Sequence, residues 1–108
     1  MNKIPIRGIS ASLGTVTASV KVLHNHSEVT KVNKGDIVVL EQSDHLYRPA
    51  VDIAGGIITN LGGLMSHAAI HARRLGVPCI VNTQNATEIL TDNLVVTLDA
   101  TKGEIYSE

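Results

Sequence analysis

The residues of this 108-residue chain best equipped for chemistry stand together at Gly62-Gly63-Leu64-Met65-Ser66-His67. Two adjacent glycines let backbone N–H groups come close to an anion. Ser66 is a good N-cap, and the helix it opens presents unsatisfied N–H donors and the positive end of its dipole. A histidine at the first helical position feels that potential, which favours its neutral, nucleophilic form. A ring nitrogen that attacks phosphorus becomes an anionic phosphohistidine, and the same helix end stabilises that product. The pattern fits a phosphoryl-accepting His67, with Gly62 and Gly63 as a phosphate-approaching loop. The residues alone leave a second reading open: a tight glycine turn with a surface histidine beside a cap.

The flanking sequence shows how such a site is positioned. Gly56-Ile57-Ile58-Thr59 is a short apolar run that predicts a buried strand ending at Asn60-Leu61-Gly62-Gly63. His67 to Leu75 predicts a helix. Gly76 stands where a C′ glycine belongs, Pro78 bars continuation, and Arg73 and Arg74 suit the negative end of the dipole. Upstream, Thr15 to Leu23 alternates, with Val16, Ala18, Val20 and Val22 on one face. A turn at Lys34-Gly35-Asp36 leads into the buried strand Ile37-Val38-Val39-Leu40. Leu46 to Ala54 has loose helical spacing, with Pro49 in the first turn. Cys79-Ile80-Val81 reads as a strand, Ala86 to Leu90 as a helical turn, and Leu94 to Leu98 as a strand. A turn at Thr101-Lys102-Gly103 then enters Glu104-Ile105-Tyr106. Many strands with two or three helices give an α/β class. No linker or repeat divides residues 1–108, so one domain is expected.

Composition narrows the functions. The core is built from 12 Val, 11 Ile and 10 Leu with no Phe, no Trp and only two tyrosines. That removes the stacking platforms of single-strand nucleic-acid binders. Nine Lys and Arg against ten Asp and Glu leave a net charge of −1, so no basic field attracts nucleic acid or an anionic membrane. Neither G-x-x-x-x-G-K-[ST] nor G-x-G-x-x-G occurs, so no nucleotide is expected to bind this domain. Cys79 has no partner for a disulfide and reads as a small core residue. Met1 to Pro5 lacks the apolar run of a secretion signal, and no stretch reaches ~18 apolar residues, so the expected setting is cytoplasmic.

Other candidates weigh less. His67 and His71 share a helix face, which permits chelation, but Ala68 stands where a zincin has glutamate. The spacing of His24, His26 and His45 is not diagnostic, so no metal is expected, and His71 reads as a polar residue at the helix rim. Asp44, Arg48 and Asp52 read as a solvated helix face. Leu64 and Met65 read as exposed at a loop tip, available for a docking contact.

Across almost its whole length the chain resembles the phosphoenolpyruvate-utilising enzymes. Gly62-Gly63-x-x-Ser66-His67-Ala68-Ala69-Ile70-x-Ala72-Arg73-x-x-Gly76-Val77-Pro78 is similar to their phosphorylation-site signature. Gly8-Ile9-Ser10-Ala11-Ser12-Leu13-Gly14, Gly35-Asp36-Ile37-Val38-Val39, Ala54 to Thr59, Leu94 to Asp99 and Gly103-Glu104-Ile105-Tyr106 resemble its other blocks. The family includes pyruvate phosphate dikinase, phosphoenolpyruvate synthase, the first enzyme of the sugar phosphotransferase system and antibiotic phosphotransferases. The resemblance implies a swivelling β/β/α phosphohistidine domain, with layered sheets and two or three helices. It implies a phosphocarrier with His67 as the phosphorylated residue, Gly62, Gly63 and Ser66 around it, and Arg73 as the signature arginine. In the helix reading Arg73 lies near the C-terminus, where it orders or docks the domain. Magnesium with ATP, or phosphoenolpyruvate, is then expected on a partner: an ATP-grasp-like or pyruvate-binding domain elsewhere.

Four positions depart from the pattern. Asn82 and Ala100 stand where glycines are common, and His71 replaces an aliphatic residue. Met65 stands two residues before the histidine, where the family usually has a threonine that can hydrogen-bond near the imidazole. Losing such a bond to a charged group costs about 1.5–3 kcal/mol, so attenuated transfer is expected. The alternative raised by Met65 is a non-catalytic docking or regulatory module on the same fold.

Overall fold

The chain is organised by strands buried on both faces. In the computed structural model, which describes residues 1–108, the first strands are β1 (Asn2–Ile4), β2 (Ile9–Ser12) and β3 (Thr15–Leu23). A 3-10 turn at His26–Lys31 leads to β4 (Ile37–Leu40), and a second at His45–Tyr47 leads to α1 (Arg48–Val51). Then follow β5 (Gly56–Thr59), α2 (His67–Leu75), β6 (Cys79–Val81), α3 (Ala86–Ile89), β7 (Val95–Asp99) and β8 (Glu104–Ser107).

The sheet order is β1-β8-β7-β3-β4-β5-β6-β2, and β3 divides it. Val20 to Leu23 of β3 run parallel to β4, and β5 and β6 extend that parallel half. Thr15 to Ser19 pair antiparallel with β7, which continues through β8 to β1. Every residue of β4, β5 and β6 is buried, as continuous apolar strands with cover on both faces must be.

Two cores follow from alternation along these strands. Val38 and Leu40 of β4, Ile57 of β5 and Cys79 and Val81 of β6 meet Ala50 and Val51 of α1 and Ala68, Ala69 and Ala72 of α2. On the other face, Ile37, Val39, Ile58 and Ile80 meet Val96, Leu98 and Ile105 of the antiparallel half. Val16, Ala18, Val20 and Val22 all join this second core, on the face their alternation predicts. The layers are therefore sheet, sheet and helix. They approach so closely at Gly56 that an added Cβ would lie 2.9 Å from Leu98 Cδ2 and 3.1 Å from Val16 Cγ1.

Several elements differ from the sequence reading. The helix expected over Leu46 to Ala54 is the 3-10 turn plus one turn of α1, with Pro49 at its start. Asp44 caps that 3-10 turn by accepting from the Leu46 N–H, so the chain tightens before the α-helix begins. β1 and β2 are edge strands whose partners are β8 and β6, far along the chain, and three or four residues carry no usable period. The turn at His26–Lys31 forms under an Asn25 cap.

Candidate functional site

The glycine loop leaves β5 and enters α2 as the sequence predicts, and its geometry explains the residues. Ser66 caps the helix: its Oγ accepts from the Ala69 N–H at 3.4 Å and donates to the Gly63 carbonyl at 2.8 Å. Gly62 has φ +105°, and a Cβ there would lie 2.9 Å from Ser66 Cβ, so only glycine fits the turn. Gly63 has open space where a Cβ would be. Arg73 reaches back along the helix and donates to the Leu64 carbonyl at 2.6 Å and the Ala11 carbonyl at 3.0 Å. It ties the loop to β2, the ordering role that its place on the helix implies. Gly76 closes α2 in the left-handed conformation. Leu64 and Met65 are 51% and 80% exposed at the loop tip.

His67 is half-buried at the first turn of α2, with its Nδ1 2.9 Å from Ser43 Oγ. Ser43 lies three residues beyond the end of β4, and no protein group hydrogen-bonds Nε2. The hydroxyl that Met65 cannot supply is thus present beside the imidazole, from a different loop. Sequence reading missed Ser43. Its signal was positional: it follows a parallel strand, on the carboxyl edge where α/β sheets gather their sites. The pKa of His67 is lowered, first by burial and then by the charges of His71, Arg48 and His45, against an opposing pull from Asp44. The direction is the expected one, but partial burial leads it.

His71 corrects its sequence reading. It is buried, not at the rim, and its Nε2 lies 2.5 Å from Asp52 Oδ1. Its ring stacks on that of His67, with centroids 5.5 Å apart and planes at 14°. The charged trio is solvated, with the side chains of Asp44, Arg48 and Asp52 46%, 56% and 39% exposed, and its carboxylates also have specific partners. Asp44 is bound by His26 at 2.9 and 3.0 Å, and that bond chiefly holds its pKa below the usual carboxylate range. Burial resists the charge on Asp52, but the His71 hydrogen bond and Arg48 outweigh it and lower its pKa. His45, Arg48, His67, Ile70, His71 and Arg74 line an open cavity of about 220 Å³. No three His, Cys, Asp or Glu side chains converge as metal ligands. Cys79 is buried, and its thiol is pushed up to about 12 by that burial, so it is inert packing. Asn82 has φ +58°, the left-handed conformation that explains why a glycine suits its position.

The family model for the PEP-utilising enzyme mobile domain matches residues 32–103, two-thirds of the chain, and includes the loop, Ser43 and all of α2. The chain belongs to the PEP-utilising enzyme mobile-domain family. It is 43% identical over 104 residues to an Archaeoglobus fulgidus protein named "Probable phosphoenolpyruvate synthase", covering 96% of this chain and 14% of that protein. It is 40% identical over 104 residues to the phosphoenolpyruvate synthase of Pyrococcus furiosus, covering 96% of this chain and 13% of the relative. The mobile domain thus spans about one-seventh of the relatives it matches. In relatives of that length it sits with other domains. The solution structure of Enzyme I superposes with a TM-score of 0.62 at 23% identity, over 75% of this chain and 34% of that one, and shares the fold. No helix of this mobile domain is long and apolar enough to cross a membrane.

Proposed function

We propose that this domain is a phosphocarrier that accepts a phosphoryl group on His67 from a donor held by a partner domain and delivers it to a second site. One observation carries the reading: His67 stands at a helix start with Nδ1 tied to a hydroxyl and Nε2 without a protein partner. With the Nδ1–H donating to Ser43 Oγ, the lone pair lies on Nε2. That pair forms the N–P bond while the P–O bond to the donor breaks, and the bonding electrons leave on the donor oxygen. The free N–H groups of the first turn, with Arg48 and Arg74 of the adjoining cavity, favour the anionic product. Gly62 and Gly63 shape the approach of phosphate, and the exposed Leu64 and Met65 give the loop tip an apolar docking contact.

Magnesium with ATP, or phosphoenolpyruvate, belongs on the partner, an ATP-grasp-like or pyruvate-binding domain. The names of the relatives favour a phosphotransferase of the phosphoenolpyruvate synthase type, of which this domain is one component. The alternative, suggested by Met65, is a non-catalytic docking or regulatory module on the same fold; the Ser43 hydroxyl beside Nδ1 favours the carrier. The test is to mix the chain with magnesium-ATP or phosphoenolpyruvate and the remaining domains of a phosphoenolpyruvate synthase. An acid-labile, base-stable phosphoryl group on His67 is expected; a protein that stays unmodified with both donors overturns the reading.

Two further outcomes follow from the geometry. Ser43→Ala removes the Nδ1 partner and lets the ring rotate and change tautomer, so phosphorylation slows about tenfold, the size of one hydrogen bond. Single-turnover kinetics check this, with Ser43→Thr retaining most of the rate. The second outcome concerns pH. Because the pKa of His67 is lowered, the neutral form persists as pH falls through ~6.5, the ordinary imidazole value. The acidic limb of the phosphorylation rate therefore lies below that value, and a pH–rate profile with its limb at or above it contradicts the assignment.

A further inference from the structure

Asp52 belongs neither to the glycine loop nor to the helix that carries His67, yet it touches two groups that face the cavity beside His67. Its Oδ1 lies 2.5 Å from His71 Nε2, and its Oδ2 lies 3.5 Å from Arg48 Nη2. Because Asp52 is ionised, the bond to His71 fixes a hydrogen on Nε2 and sets the plane of that ring. The side chain of His71 is only 7% exposed, so this plane is locked, and it lies nearly parallel to the plane of His67. Arg48 lines the same cavity as both rings. His71 and Asp52 lie 19 residues apart, one on α2 and the other just past the end of α1, so neither stretch of sequence alone reveals the pair.

We propose that Asp52 is a positioning residue for the phosphoryl-accepting site: it holds His71 flat against His67 and keeps Arg48 turned toward the same cavity. The inference rests on the reading of His67 as the phosphoryl acceptor and adds what orients that ring. Ser43 secures one edge of His67, and the His71 ring closes one face, so the rotamer that presents Nε2 is held from two sides. The groups facing the pair come from every element packed there: Arg48 from α1, His45 and Asp44 from the preceding turn, and His67 and Arg74 from α2. When His67 gains a phosphoryl dianion, His71 already orients the ring and Arg48 already lines the cavity, so no reorganisation accompanies the charge. Asp52 acts through these two groups and never meets the phosphoryl group itself.

The experiment uses the whole chain and phosphoramidate, a small reagent that phosphorylates histidine with loss of ammonia, so no partner is needed. Asp52→Asn, Asp52→Glu and His71→Phe are compared with the unaltered protein after thermal unfolding shows which variants fold. Asp52→Asn is expected to slow His67 phosphorylation about threefold to tenfold between pH 5 and 8, with Asp52→Glu restoring part of the rate. In His71→Phe the stacked ring remains but the electrostatic influence of His71 that lowers the His67 pKa is lost. The His67 titration followed by imidazole proton NMR then moves up toward the ordinary value. The proposal is overturned if every folded Asp52 variant reacts within twofold of the unaltered protein. Failure of the carrier reading is separate: the natural donors and partner domains leave His67 unmodified while the NMR shift in His71→Phe is still observed.

Discussion

His67→Ala is expected to abolish phosphoryl incorporation, by at least about a thousandfold, while leaving the fold intact. Two considerations set the size. Around the glycine loop the imidazole is the nucleophile left free at Nε2: Ser43 Oγ is engaged with it, Ser66 Oγ is committed to capping α2, the Cys79 thiol is buried and protonated, and His71 Nε2 is bound to Asp52. Removing a covalent nucleophile eliminates the intermediate itself, an effect far larger than the loss of any one orienting contact. The fold should survive because His67 is half-buried, a single side-chain hydrogen bond is lost, and alanine is a good helix former. The stability change should stay within about 1 kcal/mol. Phosphorylation assays in acid and base, run beside a denaturation curve, separate the two effects. Acid-labile phosphate persisting in His67→Ala would move the acceptor to another residue and sink the assignment.

The second large effect is on stability. Ile57→Ala is expected to cost about 2–5 kcal/mol, against a total of roughly 5–15 kcal/mol for a domain of this kind. Ile57 is fully buried in the central strand β5, paired with Val38 on one side and Cys79 on the other. It shares a core with Ala68, Ala69 and Ala72, the small residues that let α2 sit close to the sheet. Those alanines have no side-chain length with which to fill a cavity, so relaxation there is limited and the cost belongs in the upper part of the range. The helix above the cavity is the one that carries His67, so the lost packing also loosens the site. The denaturant midpoint gives the first quantity, and the His67 imidazole line width the second. A cost below about 1 kcal/mol contradicts the packing described here.

The legible part of the fold was the part with a period or a cap. β3, β4, β5, β6 and α2 have the predicted bounds because their residues state both their element and its ends: alternation or a continuous apolar run for the strands, Ser66 and Gly76 for the helix. β1 and β2 escaped because an edge strand of three or four residues is stabilised by its distant partner more than by its own composition. Leu46 to Ala54 was overextended as a helix because apolar spacing alone does not reveal the Asp44 cap that winds the first residues into a tighter turn.

The site divides in the same way. Local sequence determined the near geometry of the candidate site: a glycine loop, a capped helix and a histidine at its first turn are neighbours along the chain. Their geometry follows from backbone preferences and unpaired N–H groups that act within a few residues. Arg73 could also be placed, because one helix carries it back toward the loop whose carbonyl it binds. Tertiary structure alone decided what surrounds His67. Ser43 arrives from the end of a neighbouring parallel strand and replaces the hydroxyl that Met65 lacks. Asp52 arrives from the end of α1 and binds His71, which is buried and stacked on His67. Side-chain hydrogen bonds between residues 19 and 24 positions apart have no periodic signature in the chain. They exist only because the strands of the parallel half run in one direction and deliver their loops to one edge.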